Sequence, residues 1–192
     1  MAAETEVFTL KGKRVEVREG DLLLSRWTGV VSAAIAAFDG GASHVSTVLN
    51  VGGRLMIVDS CAHDWPDAKG TTQKAGVDAR PVEDMFNDAK VAHVWHVRER
   101  KQLSTQQLIA MRIAAFDAIK ANEKFGSRYE NGPTEFVHSL LGMKPATATR
   151  WHCAEFAARL RQAAGLWPKD TTTSVPIPQM AAQVGAAWER VF

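Results

Sequence analysis

Cysteine is nearly absent: 192 residues hold two, Cys61 and Cys153, far apart and without paired spacing. That excludes a disulfide framework and a zinc knuckle, and makes a reducing compartment the simplest setting. Charge of one sign is also scarce. The net charge is +2, and no stretch interleaves Lys and Arg with aromatic side chains, so nucleic acid is not an expected partner. Long apolar runs are missing too. The longest, Val30 to Phe38, is too short to cross a bilayer as a helix, and no transmembrane segment is expected. The opening Met1-Ala2-Ala3-Glu4-Thr5-Glu6 is acidic and lacks the apolar stretch of a secretory signal. The expected location is therefore the cytoplasm, or wherever another route such as a phage particle delivers the chain. Internal repeats and low-complexity linkers are absent as well.

What is present is a globular composition, 46% hydrophobic and 23% charged, of a size for one domain. Residues 14–18 alternate with period two and read as a short strand; Gly20-Asp21 then turns into Leu22-Leu23-Leu24, an apolar run suited to a buried strand. Residues 28–38 read as a helix closed by Asp39-Gly40-Gly41. Residues 62–90, rich in Asp, Pro, Gly and Lys, read as an irregular surface excursion, and 91–97 as a further strand. A helix is expected over 104–120, opened by Ser104-Thr105-Gln106-Gln107 in the pattern of a capping box. Residues 125–133 read as a loop and 135–141 as a short helix. A Thr- and Pro-rich tail over 171–178 leads to a last helix near 179–188.

The clearest supersecondary signal lies between. Residues 44–50 and 54–60 are β-rich runs flanking Gly52-Gly53, a pair suited to a two-residue hairpin turn. If those glycines form the loop, Val51 pairs with Arg54, Ser46 lies opposite Asp59 and His44 opposite Cys61. Alternation then places His44, Ser46, Asp59 and Cys61 on one face. His44 and Asp59 become diagonal neighbours roughly 7–8 Å apart at the backbone, so the carboxylate can orient the imidazole.

Downstream, Arg150-Trp151-His152-Cys153-Ala154-Glu155-Phe156 puts a cysteine in the first turn of an amphipathic helix. Its apolar stripe is Phe156, Ala157, Leu160 and Ala164, and Gly165 ends it. Free backbone N–H groups and the helix dipole at such a start favour a thiolate. A lone cysteine on an apolar stripe is ordinarily core, and a lone histidine at a strand start is ordinarily just polar. Together they point to a cysteine hydrolase or acyltransferase whose base precedes its nucleophile.

Four pieces, Gly20-Asp21-Leu22-Leu23, Ser43-His44-Val45, Ile57-Val58-Asp59-Ser60 and His152-Cys153-Ala154-Glu155-Phe156, together resemble the circularly permuted NlpC-type papain-like proteins. The YiiX-like amidases are the nearest group, and the lecithin:retinol acyltransferase-like enzymes are more distant relatives. The order histidine, polar residue, cysteine is that of the permuted group. The resemblance covers about 19–165 and leaves 166–192 as a C-terminal extension of a single domain, 1–192. It implies an α+β papain-like fold, with an antiparallel sheet packed against helices and a site in the cleft between them. Cys153 becomes the nucleophile, His44 the base and Asp59 the orienting acid. Asp59 stands where YiiX-like members often carry Glu, and Tyr129-Glu130 where the family tends to carry Tyr-Asp.

The implied activity is cleavage of an amide bond in a peptide or cell-wall fragment through an acyl-thioester on Cys153. The alternative is acyl transfer, or hydrolysis of a lipid ester or amide, on the same triad. A second alternative is a non-catalytic binding or virion structural module. The backbone N–H of Cys153 is the natural oxyanion donor, with His152 and Tyr129 as candidates for the second. Trp151 adjoins the nucleophile. Glu155 reads as a solvated helix residue, or one that caps or binds substrate, and Cys61 as a packing or redox-sensitive neighbour. His44, His63, Asp59, Asp64, His93 and His96 offer metal-ligand chemistry, but His93 and His96 fall on opposite faces of a strand. With no HExxH or paired CxxC, neither a metal nor another cofactor is expected.

Overall fold

Apolar runs with β propensity, broken by glycine turns, build the frame. The computed structural model describes residues 5–10, 12–29, 32–33, 36–37, 41–61, 65–66, 72–73, 76–121, 124–125, 150–151, 153–168, 177–185 and 189–191. A first hairpin joins β1 (Thr5–Leu10) to β2 (Lys13–Arg18). Then come β3 (Leu22–Trp27), β4 (His44–Val51) and β5 (Arg54–Cys61). The short strands β6 (Trp65–Pro66) and β7 (Thr72–Gln73) pair with each other. They precede β8 (Gly76–Pro81), helix α1 (Val82–Asn87) and β9 (Val91–Val97). Helix α2 (Thr105–Lys120) follows, and then β10 (Lys124–Phe125), which lies parallel to β11 (Arg150–Trp151). Helices α3 (Cys153–Ala163) and α4 (Ile177–Val184) and strand β12 (Glu189–Arg190) complete the described elements.

The principal sheet has six strands in the order β12-β9-β3-β4-β5-β8, with every neighbouring pair antiparallel. Its centre is buried on both faces. Leu23, Val48, Leu55, Ile57 and Val94 pack with Phe8 and Val17 of the first hairpin and with Val82, Met85 and Phe86 of α1. On the other face Leu22, Leu24, Val45 and Val97 meet α3 and α4, while Leu49 and Val58 meet α2 and α3. The three consecutive leucines of β3 thus serve opposite layers by simple alternation. Burying each is worth about 1.5–3 kcal/mol relative to exposure. The fold is α+β.

The hairpin between β4 and β5 has the register read from its turn, Val51 pairing with Arg54 and Thr47 with Val58. Gly52 and Gly53 have φ of 66° and 84°, the left-handed pair that a tight hairpin loop of this twist requires. The ladder ends at Thr47 and Val58, although both strands run on. Beyond it β4 stays paired with β3, through Ser25 and His44, and β5 with β8, through Cys61 and Gly76. Side chains take the place of the missing rungs.

The capping box of α2 is present: Ser104 accepts from the Gln107 N–H, and the Gln107 side chain accepts from the Ser104 N–H. The stretch 62–90 departs from its reading as irregular, because 76–87 supplies an edge strand and a helix. Gly76-Val77-Asp78-Ala79-Arg80-Pro81 has weak β propensity, but pairing with β5 overrides it, and an edge position tolerates Pro81. The last helix spans Ile177–Val184, starting and ending earlier than expected. Of the helix expected over 28–38, residues 28, 29, 32, 33, 36 and 37 are described: Thr28 and Gly29 form a bend and lie outside any helix, whereas 32, 33, 36 and 37 are helical. Of the loop expected over 125–133, Phe125 is described and lies in β10 instead; the rest of that loop, the helix expected at 135–141 and residues 171–176 lie outside the described residues.

Candidate active site

His44 is the first residue of β4, and Cys153 the first of α3. The hairpin register carries Ser46 to the level of Asp59 and leaves His44 on the diagonal. The Nε2 of His44 lies 2.9 Å from Asp59 Oδ2. The hydroxyl of Ser46 donates to the same oxygen at 2.6 Å, and Arg80 Nη2, from β8, donates to it at 2.7 Å. All are buried: His44 is 7% exposed, Ser46 0%, Asp59 1% and Arg80 2%. Oδ1 of Asp59 accepts no hydrogen bond from the described residues.

The charges in this cluster are set by opposing effects. Burial by itself would push the Asp59 carboxyl up, but the Arg80 guanidinium, then His44 and the Ser46 hydroxyl, hold it well below the usual carboxylate range. Burial likewise favours a neutral His44. The negative charge of Cys153, the Asp59 carboxylate, and hydrogen bonds to both outweigh it and raise the imidazole well above its ordinary value. His44 therefore stands between an ionised acid and the thiol. With Nε2 on Asp59, the ring has Nδ1 for Cys153.

The surroundings hold these groups in place. Trp27 meets the imidazole edge to face, with ring centroids 6.2 Å apart and an interplanar angle of 80°. Its indole N–H is held by Ser25 Oγ at 2.9 Å. Just before His44, the Ser43 hydroxyl accepts from the Trp27 backbone N–H at 3.2 Å and bonds Ser32, which pins the entry to the strand. Cys153 is half-buried, behind it Ala154, Ala157 and Ala158 lie against Leu22, Leu24 and Val45, and small side chains let α3 sit close to the sheet. Farther along, the Arg161 guanidinium pairs with Glu99 and donates to the Gly20 carbonyl at 3.0 Å.

Cys153, His44 and Asp59, separated widely in sequence, are thus brought together. Arg80 was not legible in advance, because an arginine in an edge strand has no local mark of a buried partner. Alternation along β4 predicts the face of Ser46, and the structure adds its role as a donor to Asp59. Glu155, read as solvated, is instead 2% exposed: it stands on the side of the first helical turn that faces the protein. Cys61 is buried at the end of β5, beside Gly76, as a packing residue would be. His93 and His96 do not converge. His96 bonds Asp21 Oδ2 at 2.7 Å, whereas His93 lies by Arg190. Trp151 lies in β11, and His63, Asp64, Tyr129 and His152 fall outside the described residues. Among the described residues, no three His, Cys, Asp or Glu side chains form a metal-holding group.

No protein-family model matches the chain, and no curated protein matches it in sequence. Among solved structures, the chain is similar to the crystal structure of the metalloprotein YiiX from Escherichia coli O157:H7, at 14% identity and a TM-score of 0.54. The match covers 76% of this chain and 65% of that one, less than two thirds of its length. The likeness is one of fold.

Proposed function

We propose that this chain is a cysteine hydrolase of the circularly permuted papain-like kind, cleaving an amide bond in a peptide or cell-wall fragment. One observation carries the reading: a buried imidazole bonded on one side to a carboxylate that also takes a buried guanidinium, and on the other to a thiol at the head of a helix. In this mechanism His44 takes the proton of Cys153, and the thiolate attacks the amide carbonyl carbon. The Cys153 backbone N–H at the helix start donates to the developing oxyanion. The imidazolium then gives its proton to the leaving amine as the C–N bond breaks, which leaves an acyl-thioester. Water, deprotonated by His44, releases the acid and restores the thiol. Asp59 holds the ring so that Nδ1 faces sulfur, and it stabilises the imidazolium.

A resident metal of the sort named for the similar structure does not fit this donor set. Oδ2 of Asp59 already carries the Arg80 cation at 2.7 Å.

The test is alkylation by iodoacetamide at about pH 6, read by peptide mass spectrometry. An ordinary thiol of pKa about 8.5 is almost wholly protonated there, so a thiolate labels on the order of 100-fold faster. Cys153 is expected to label fast and Cys61 to stay inert, and His44→Ala to slow the reaction. Equal, sluggish labelling of both cysteines would end the hydrolase reading.

A further inference from the structure

Arg80 is a charge the reaction itself does not consume. It sits on β8, the edge strand of the principal sheet, where arginines ordinarily reach water, yet its side chain is only 3% exposed. Its Nη2 lies 2.7 Å from Asp59 Oδ2, the same oxygen that takes His44 and Ser46. Several groups face Asp59 or its partner. From β4 come His44 and Ser46, and from β8 Arg80 and Asp78, the cross-strand partner of Asp59. Cys61 lies on its own strand, and Cys153 reaches it through His44 from α3. The imidazole is positive only while protonated, whereas a guanidinium is positive at every working pH. Oδ1, without a donor among the described residues, is the place where a proton would settle if the guanidinium were withdrawn.

We propose that Arg80 is a positioning residue: it keeps Asp59 ionised on the oxygen that receives His44, and so extends the thiolate–imidazolium pair to acidic pH. The inference rests on the hydrolase reading and names the residue that sets the acid side of its working range. As pH falls, a carboxyl deprived of Arg80 takes up a proton early. The imidazolium then loses its acceptor, and Cys153 recovers its proton at a higher pH than before. In the intact protein the fixed charge delays that step.

The experiment follows Cys153 labelling by iodoacetamide from about pH 4 to about pH 9 in the wild type, Arg80→Gln and Arg80→Lys, with a thermal melt of each. In Arg80→Gln the acid limb is expected to move up by about one pH unit or more, roughly a tenfold loss of rate on the acid side. Arg80→Lys restores the charge and is expected to reverse most of the displacement. A Gln variant that melts cooperatively with its limb on the wild-type curve would show that Arg80 merely packs, and would overturn the proposal. If the Gln variant does not fold, Arg80→Lys decides alone. A limb within about half a unit of wild type supports the charge argument, and any larger shift overturns it. A wild type without acid-side reactivity sinks the hydrolase reading itself, an outcome distinct from an unmoved limb.

Discussion

Replacing Asp59 by Asn keeps the shape of the side chain and removes its charge, so it separates what the carboxylate does from where it sits. His44 owes part of its raised proton affinity to that charge. In Asp59→Asn the alkaline limb of amide turnover, where the imidazolium is lost as proton donor, should therefore move to lower pH, and turnover itself should fall on the order of 100-fold or more. Stability has its own pH dependence. The folded carboxyl lies below its unfolded value of about 3.9, so its contribution is present above about pH 4 and lost as pH falls through the lower folded value. The His44 ring has the opposite sign: its contribution is full below about pH 6.5 and lost as pH rises through the raised folded value. Thermal melts across pH should show the gap between wild type and Asp59→Asn closing on the acid side. A gap that persists at low pH would mean that shape, not charge, was lost.

The turn between β2 and β3 ties more elements together than its length suggests. Glu19 takes the guanidinium of Arg112 from α2 and the Asn50 N–H of β4. The Gly20 N–H donates to Val48 at 2.8 Å, and its carbonyl accepts from Arg161 of α3. Asp21 accepts from His96 of β9 and, at 3.2 Å, from the Glu99 N–H. Gly20 has a φ of 95°, and a Cβ there would lie 2.6 Å from Leu103 Cδ1. Gly20→Ala should cost about 2 kcal/mol, from a disfavoured backbone conformation and a crowded side chain; a urea titration measures it, and an unchanged midpoint would refute the account. Of these ties the Gly-Asp turn was visible in the sequence and its partners were not. Turn chemistry is local: two glycines fix a hairpin register, and Ser104 with Gln107 marks a helix start. Hydrogen bonds from Arg161 or Arg112 depend on how distant elements dock.

For the whole molecule, one sheet with side chains packed on both faces divides the labour. The layer of α1 and the first hairpin backs the strand residues of the site, and the helical layer supplies Cys153. The α+β class was legible because period-two runs and a helix with an apolar stripe leave few other arrangements. The edge strand β8, and with it Arg80, was hidden, because a weakly β-prone segment takes its conformation from the neighbour it joins. His44 and Asp59 come from one hairpin, and Arg80 and Cys153 must be recruited from elsewhere. The gap in the ladder between β4 and β5 therefore has a kinetic meaning. With no rungs beyond Thr47 and Val58, the hairpin alone cannot lock His44 to Asp59; that waits for β3 and β8 on either flank and for a loop closure spanning more than half the chain. Long-range closures form late. During refolding from denaturant, hairpin amides should gain protection from solvent exchange before Cys153 regains fast labelling at acidic pH, which makes the thiol a clock for the final step of assembly. Simultaneous recovery of the two signals would place the whole sheet and α3 in a single event.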